Sequence, residues 1–372
     1  MSQEELYQWM SEILKHLSSL GKWQAYSVAM YSLGVMWAQN SSVYQVSKWL
    51  WQFGERSSVE KRLKRYLSNE RIALEAIQME WVKWVSQFFS LEELVILVDE
   101  TKLSIHLNVM VVGLAYRQRC IPLVWACYRG ALGEGRMRMI VTLLQVVKAS
   151  LPEQARPLVE MDRGLGTSPR LLREIDKLNW RYLVRVQGMT RLRTFRGKQH
   201  RLRDLVKRGE SWSGMGYVFK KNGSIRAYVH VLWDWDQKDM WCLVTNDKAL
   251  SARAYALRNW QEQSFRDLKS GGFHWQRSQV FEPRHAERLL LVLTLAYARL
   301  LAFGSSFTPD LSEVYVRVSR RTRPARSLFS AGLRYWWDCL VNHIPAFPGL
   351  FFAPDKALLK LICSGLSLQQ GR

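Results

Sequence analysis

The sequence predicts an α/β chain: a mixed-order sheet flanked by helices, preceded by a helical unit and interrupted by a β-rich insertion. Three observations carry that prediction. Residues 1–90 keep apolar positions at helical period, contain no proline, and have glycine only at 21, 34 and 54. From 91 onward, short apolar runs of strand length alternate with helical periods as three strands, helix, strand, helix, strand, which is an α/β layout. Residues 188–240 then break the rhythm with Gly, Arg, Trp and alternating runs such as SIRAYVHVLWDW.

Within the first 90 residues, SSVYQVSKWLWQFGERSSVEKRLKRYLSN reads as two or three short helices with a turn near Gly54. Its basic end, VEKRLKRYL, suits either a small helical DNA-binding unit or a solvated charged face. The α/β part opens with LEELVILVDETK, an apolar strand ending in an acid. LSIHLNVMVVGLAYRQRCIPLVWACY gives two more strands, joined near Arg117–Arg119. GRMRMIVTLLQVVKASL is helical, and RPLVEMD is a second short strand ending in an acid. TSPRLLREIDKL is a helix with Ser168 as N-cap and Pro169 in its first turn. NWRYLVRVQG is again a strand, and MWCLVTND at 240–247 reads as the last strand of the insertion. A helix is expected from about Ser251 to Lys269, closed by Gly271–Gly272, and a second, buried one over roughly 284–303. The resulting division is 1–90, 91–187, 188–240, 241–304, and a helical tail over 305–372 that carries VRVSRRTRPARSLFSAGLR, rich in Arg and without an acid.

The chain has 372 residues, 48% of them apolar, so it is long and apolar enough for a substantial core. Fifty-four Lys+Arg against 32 Asp+Glu give a net charge of +22. That surplus suits a polyanionic partner, nucleic acid first; anionic lipid or plain solubility are the alternatives. Seventeen Trp and fourteen Tyr could stack on unpaired bases or simply fill the core. The five scattered cysteines form no Cys-x-x-Cys pair and no zinc spacing, which suits free thiols in a reducing cytoplasm. The N-terminus lacks the pattern of a signal peptide. The longest apolar stretch, LLLVLTLAYARLLAFG, contains Arg299 and is too short to span a bilayer, so no membrane partner is expected.

The stretch YALRNWQEQSFRDLK, 255–269, carries the chemistry. At about 100° per residue, with Tyr255 at 0°, Arg258, Glu262, Arg266 and Lys269 fall between about −60° and +20°. Leu257, Trp260, Phe265 and Leu268 lie on the opposite side. A solvent face with i,i+4 ion pairs would look the same. Two acids upstream favour a site: Asp99 ends LVILV and Asp162 ends PLVEM, at strand ends where open α/β sheets place their chemistry. Either Asp could instead start a turn. Together with Glu262 they form a possible carboxylate cluster, which repels itself unless divalent cations neutralise it. Oxygen ligands select Mg²⁺ or Mn²⁺. Two such ions about 4 Å apart would clamp the attacking and leaving oxygens of a phosphoryl displacement. Neighbouring Lys, Arg and Tyr would hold phosphates.

These residues resemble a DDE transposase of the insertion-sequence family marked by Tyr-x2-Arg-x3-Glu-x6-Lys. Tyr255, Arg258, Glu262 and Lys269 match that spacing, VILVDETK resembles the first-aspartate strand, and VEMDRGLG resembles the second. The resemblance covers about 90–300, and 20–75 more loosely. It implies an RNase H-like fold with an insertion at 188–240, and two metal ions on Asp99, Asp162 and Glu262. It also implies DNA-phosphate contacts by Tyr255, Arg258 and Lys269, with Arg266 in the same stripe. Water would cut the element end, and the freed 3′-hydroxyl would join target DNA, through a hairpin whose extruded base stacks on Trp233, Trp235 or Trp241. For any one of these Trp, packing within the sheet is the reading to prefer. Residues 181–208 hold ten Arg or Lys, among them Arg191, Arg193 and Arg196, against Asp204 alone, and read as a phosphate track or a solvated arm. The implied partners are double-stranded DNA at element ends and target, and a second copy in a synaptic dimer, in a nucleoid-associated cytoplasmic setting. An RNase H-like nuclease without strand transfer and an inactive DNA-binding relative are the rivals. Two departures stand out. Glu100 follows Asp99 and would point to the other strand face, and Asn259 stands after Arg258, where relatives often carry an aromatic residue.

Overall fold

The computed structural model describes residues 3–105, 107–133, 135–166, 168–219, 223–307, 327–346, 349–355, 358 and 362. The Arg-rich run as far as Arg326, and Cys363, lie outside the described residues. Cys120, Cys127, Cys242 and Cys339 are buried free thiols.

Five helices open the chain: α1 (Gln3–His16), α2 (Lys22–Ala38), α3 (Val43–Trp49), α4 (Arg56–Leu67) and α5 (Leu74–Ser86). Helix α1 has Glu4 and Glu5 in its first turn and Lys15 and His16 in its last, matched to the helix dipole. It buries Leu6, Trp9, Met10 and Ile13, one stripe at i, i+3, i+4 and i+7. Helix α2 has no such stripe; most of its residues are buried, so it is a core helix. At Gly34 a Cβ would stand 2.6 Å from a methyl of Val46, so α2 and α3 approach closely there.

Ten strands form one sheet: β1 (Val95–Lys102), β2 (Asn108–Tyr116), β3 (Arg119–Tyr128), β4 (Leu158–Met161), β5 (Arg181–Arg185), β6 (Arg191–Arg193), β7 (Gln199–Arg201), β8 (Ser211–Val218), β9 (Ile225–Leu232) and β10 (Trp241–Thr245). Their order is β3-β2-β1-β4-β5-β10-β9-β8-β6-β7. β1, β2 and β3 are antiparallel, whereas β1–β4 and β4–β5 are parallel. The β2–β3 hairpin turns through Arg117 and Gln118, both at positive φ, at the place the sequence predicts. Parallel pairing needs crossovers, and α6 (Gly135–Ser150) and α7 (Pro169–Lys177) supply them; Ser168 caps α7 by accepting from Leu171 N–H.

The β-rich segment extends the core sheet. β10 pairs with β5 on one side and β9 on the other, so the strand expected to end the insertion joins it edge to edge to the core. Main-chain pairing, which has no sequence signature of its own, makes the sheet continuous.

The helical segment 252–271 comprises a 3₁₀ stretch (Ala252–Arg258), α8 (Asn259–Arg266) and a π turn (Asp267–Gly271). After it, α9 (Pro283–Phe307) is apolar and long enough to cross a bilayer by composition, yet 94% of that window is buried within the protein. The N-terminal helices and the sheet share one apolar core around α9. Tyr66 OH donates to Arg288 C=O at 3.0 Å, and Arg288 Nη1 to Leu67 C=O at 2.7 Å. Arg299, inside the apolar run, lies 4.5 Å over the Trp9 ring, and burial brings its pKa down to about 10. Helix α10 (Leu328–Val341) crosses α9 where two glycines meet: a Cβ on Gly332 would overlap Leu300 C=O, and one on Gly304 would overlap Leu328 C=O.

Candidate active site

Strand alternation sets the first acid. Val95 and Leu97 of β1 face a small apolar cluster with Leu158, Leu183, Leu257 and Trp260. Ile96 and Val98 face the large core shared with α6 and α7. Asp99 therefore emerges on the small-cluster side and Glu100 on the other. There Arg136 of α6 takes Glu100, Nη2 to Oε2, at 2.8 Å. Asp162 follows β4 directly, on the Asp99 side of the parallel β1–β4 pair. Its Oδ1 accepts from Gly164 N–H at 2.9 Å and Leu165 N–H at 3.0 Å, which fixes the carboxylate and leaves Oδ2 facing the site.

The helical segment is pinned across the same strands. Gln261 Nε2 donates to Val111 C=O of β2 at 3.1 Å, and Ser264 Oγ accepts from Cys120 N–H of β3 at 2.7 Å. This carries Arg258 to the acids. Its Nη2 lies 3.0 Å from Asp99 Oδ2 and 3.8 Å from Asp162 Oδ2, and its Nη1 bonds Glu262 Oε1. Three carboxylates from three separate elements thus meet one guanidinium. A cavity of about 590 Å³ opens here, lined by both aspartates, Arg258, Glu262, Arg266 and Lys269.

Burial raises the pKa of Asp99 to about 6, against the pull of Arg258 and the Glu100 N–H; Asp162 and Glu262 push it the same way as burial. Burial lowers Lys269, which Asp99 partly offsets. Arg258 loses charge stability to burial, but Asp99 and Glu262 outweigh that and hold it above its ordinary value.

The donor set is hard oxygen, the chemistry of Mg²⁺ or Mn²⁺. Among the described residues, no group of three His, Cys, Asp or Glu side chains is close enough to hold an ion as placed. The Arg258 guanidinium lies among the three carboxylates, in the space that a shared cation would need. Glu262, with its side chain about half exposed, is free to move.

Other expected residues lie elsewhere. Tyr255 is 5% exposed and packs edge-on against Trp241 at 5.2 Å, under the cavity instead of on its wall. A helical wheel gives direction around the axis but not which strand covers a given turn, and β10 covers this one. Trp241 is accordingly half-buried, and Trp233 is partly buried against the core. Trp235 is 74% exposed, its ring seated over Gly209. Arg191 and Arg193 flank the far end of the sheet on β6, with Arg196 in the β6–β7 turn.

Several residues escape a reading by motif. Glu160 of β4 is fully buried beside the backbone N–H and guanidinium of Arg258, which pull its pKa down, yet burial outweighs them and holds it well above the ordinary carboxylate range. An acid inside the apolar run PLVEM was its only signal. Arg119 Nε lies 2.5 Å from Asp267 Oδ2, which also accepts from Tyr297 OH at 3.0 Å, a buried network linking β3, the π turn and α9. Phe195, 56% exposed, meets Tyr217 edge-on at 5.8 Å, and Arg193 lies 5.0 Å over the Tyr217 ring.

Residues 137–299 match the family described as a transposase DDE domain. The matched range runs from α6 into α9; it spans Asp162 and the whole strip from Tyr255 to Lys269, and leaves Asp99 outside. It supports a DDE transposase. A piggyBac transposase synaptic complex with hairpin DNA, solved by cryo-EM, is similar at a TM-score of 0.41 and 10% identity, over 94% of this chain and 84% of that one. No curated protein sequence matches the chain.

Proposed function

We propose that the chain is a metal-dependent DNA transposase of the Tyr-x2-Arg-x3-Glu-x6-Lys type, with an RNase H-like core. It cuts at the ends of its element and joins the 3′-hydroxyl ends to target DNA, by way of a hairpin. The observation that carries this reading is the convergence of Asp99, Asp162 and Glu262 on Arg258. The strand order β3-β2-β1-β4-β5, with its antiparallel and parallel halves, supports the fold assignment.

Asp99, Asp162 and Glu262 are the residues that would hold two divalent cations, which would supply activation of the attacking oxygen and charge neutralisation at the leaving one. In the first step water oxygen bonds to phosphorus as the 3′-oxygen departs and takes up a proton. In joining, that 3′-hydroxyl attacks a target phosphodiester, loses its proton, and expels the target's 3′-oxygen, which takes up a proton. Arg258, released from the carboxylates, together with Arg266 and Lys269 binds the phosphates flanking the reacting one. Tyr255 supports Arg258 from below. Trp235 offers an uncovered ring for an extruded base. Arg191, Arg193 and Arg196 follow the duplex away from the site. The working unit is a dimer on two element ends, in the cytoplasm at the nucleoid.

The test mixes purified protein, labelled element-end duplex and Mg²⁺ with a second duplex. Joined product is expected, and it should vanish with EDTA. Cleavage without joining would assign a nuclease instead, and binding alone an inactive relative.

A further inference from the structure

A second cavity, of about 540 Å³, lies beside the acid site, under the first turns of α6 and α7. It is lined by Arg136, Met137, Arg138, Gly164, Ser168 and Arg170, among others. Its apolar floor, Ile140 and Leu171, belongs to the large core, whereas Asp99 sits over the small one. Three guanidiniums face it, and no described lining residue is acidic. Arg138 and Arg170 are exposed, and neither has an ion-pair partner among the described residues. Arg136 is held in place by Glu100, with its side chain still 44% exposed. The first turns of α6 and α7 both border the cavity, so their dipoles add to the positive field. Two of its wall residues, Gly164 and Leu165, are the ones whose N–H groups hold Asp162. A single loop therefore forms the floor between the acid site and the basic cavity.

We infer that this cavity binds a backbone phosphate of the DNA strand that crosses the loop after β4. The inference rests on the transposase reading of the acid site and deepens it. Cut strand and anchor share one loop, so the anchored phosphate lies within a few nucleotides of the scissile one. The guanidiniums fit a phosphodiester, and the adjoining acid site fits the same polymer. A free phosphorylated metabolite would use the cavity alone.

The test compares wild type with the Arg138→Gln/Arg170→Gln double variant, both side chains exposed and outside the carboxylate cluster. Binding of a fluorescein-labelled element-end duplex is followed by anisotropy in EDTA across a KCl series. Each lost phosphate contact lowers the slope of log affinity against log salt by about 0.9, so a fall of about that size is expected for the one phosphate held in the cavity. Ethylation interference should show one or two phosphates near the cleavage point that block wild-type binding and no longer matter to the variant. An unchanged slope and interference pattern, with a steep wild-type slope, overturns the cavity assignment and leaves the transposase reading standing. A flat wild-type slope overturns the transposase reading itself. Calorimetric binding of inorganic phosphate that the double variant abolishes, with the duplex salt slope and interference pattern unchanged, assigns the cavity to small anions and overturns the inference.

Discussion

Arg258 Nη2 lies 3.0 Å from Asp99 Oδ2, across 159 residues of sequence. A solvated helix face gives only the local contact, Arg258 with Glu262. The long-range contact distinguishes an assembled site from surface pairing. It predicts that Asp99→Asn, Asp162→Asn and Glu262→Gln each reduce Mg²⁺-dependent cleavage by more than the roughly 10- to 100-fold typical of outer-shell partners. Full activity in any one of them would remove that residue from the ligand set.

The same geometry makes Arg258 a competitor for the cation. In Arg258→Ala the three carboxylates face each other without a counter-charge. Mg²⁺ should then bind about tenfold more tightly and stabilise the variant by about 1.4 kcal/mol more than it stabilises wild type. Thermal melts in EDTA and in Mg²⁺ read this directly. An equal Mg²⁺ increment in both proteins would show that the guanidinium does not guard the acids.

Asp267 tests whether the π turn is held by charge. Arg119→Met leaves its carboxylate buried with only the Tyr297 hydroxyl bonded to it and the charge of Arg266 nearby, and should cost about 3–5 kcal/mol. Tyr297→Phe should cost about 1–3 kcal/mol, since it removes one donor and leaves the pair. Urea unfolding measures both. Two variants of similar, small effect would mean that apolar packing of Phe265 and Leu268 fixes the turn.

Glu160 sets a pH dependence. Its folded-state pKa is raised by burial, so between the unfolded value near 4.3 and the folded value the native state binds more protons. Stability therefore falls as pH rises through that window, by up to about 1.4 kcal/mol per pH unit. Glu160→Gln should flatten the fall of Tm between pH 5 and 7 and raise Tm at pH 7, with little change at pH 4. Parallel Tm profiles for the two proteins would contradict a protonated Glu160.

Periodicity and local chemistry were enough to read β1 to β5, the β2–β3 turn at Arg117–Arg119, the Ser168 cap, the buried helix around Arg299, and the opposite facing of Asp99 and Glu100. Each depends on neighbours a few residues away. The angular strip from Arg258 to Lys269 was legible for the same reason, although the segment changes helix type twice.

What the chain determined by itself, then, is the kind of element each segment forms and which face of it is polar, because these follow from steric and hydrophobic terms that repeat over two to four residues. Only the tertiary structure decided that Tyr255 is covered by Trp241, that Asp267 answers Arg119, that β10 welds the insertion to the core, and that Arg258 fills the space among three acids. Those outcomes depend on contacts between residues dozens to hundreds of positions apart, formed when strands pair and burial selects which charges must meet.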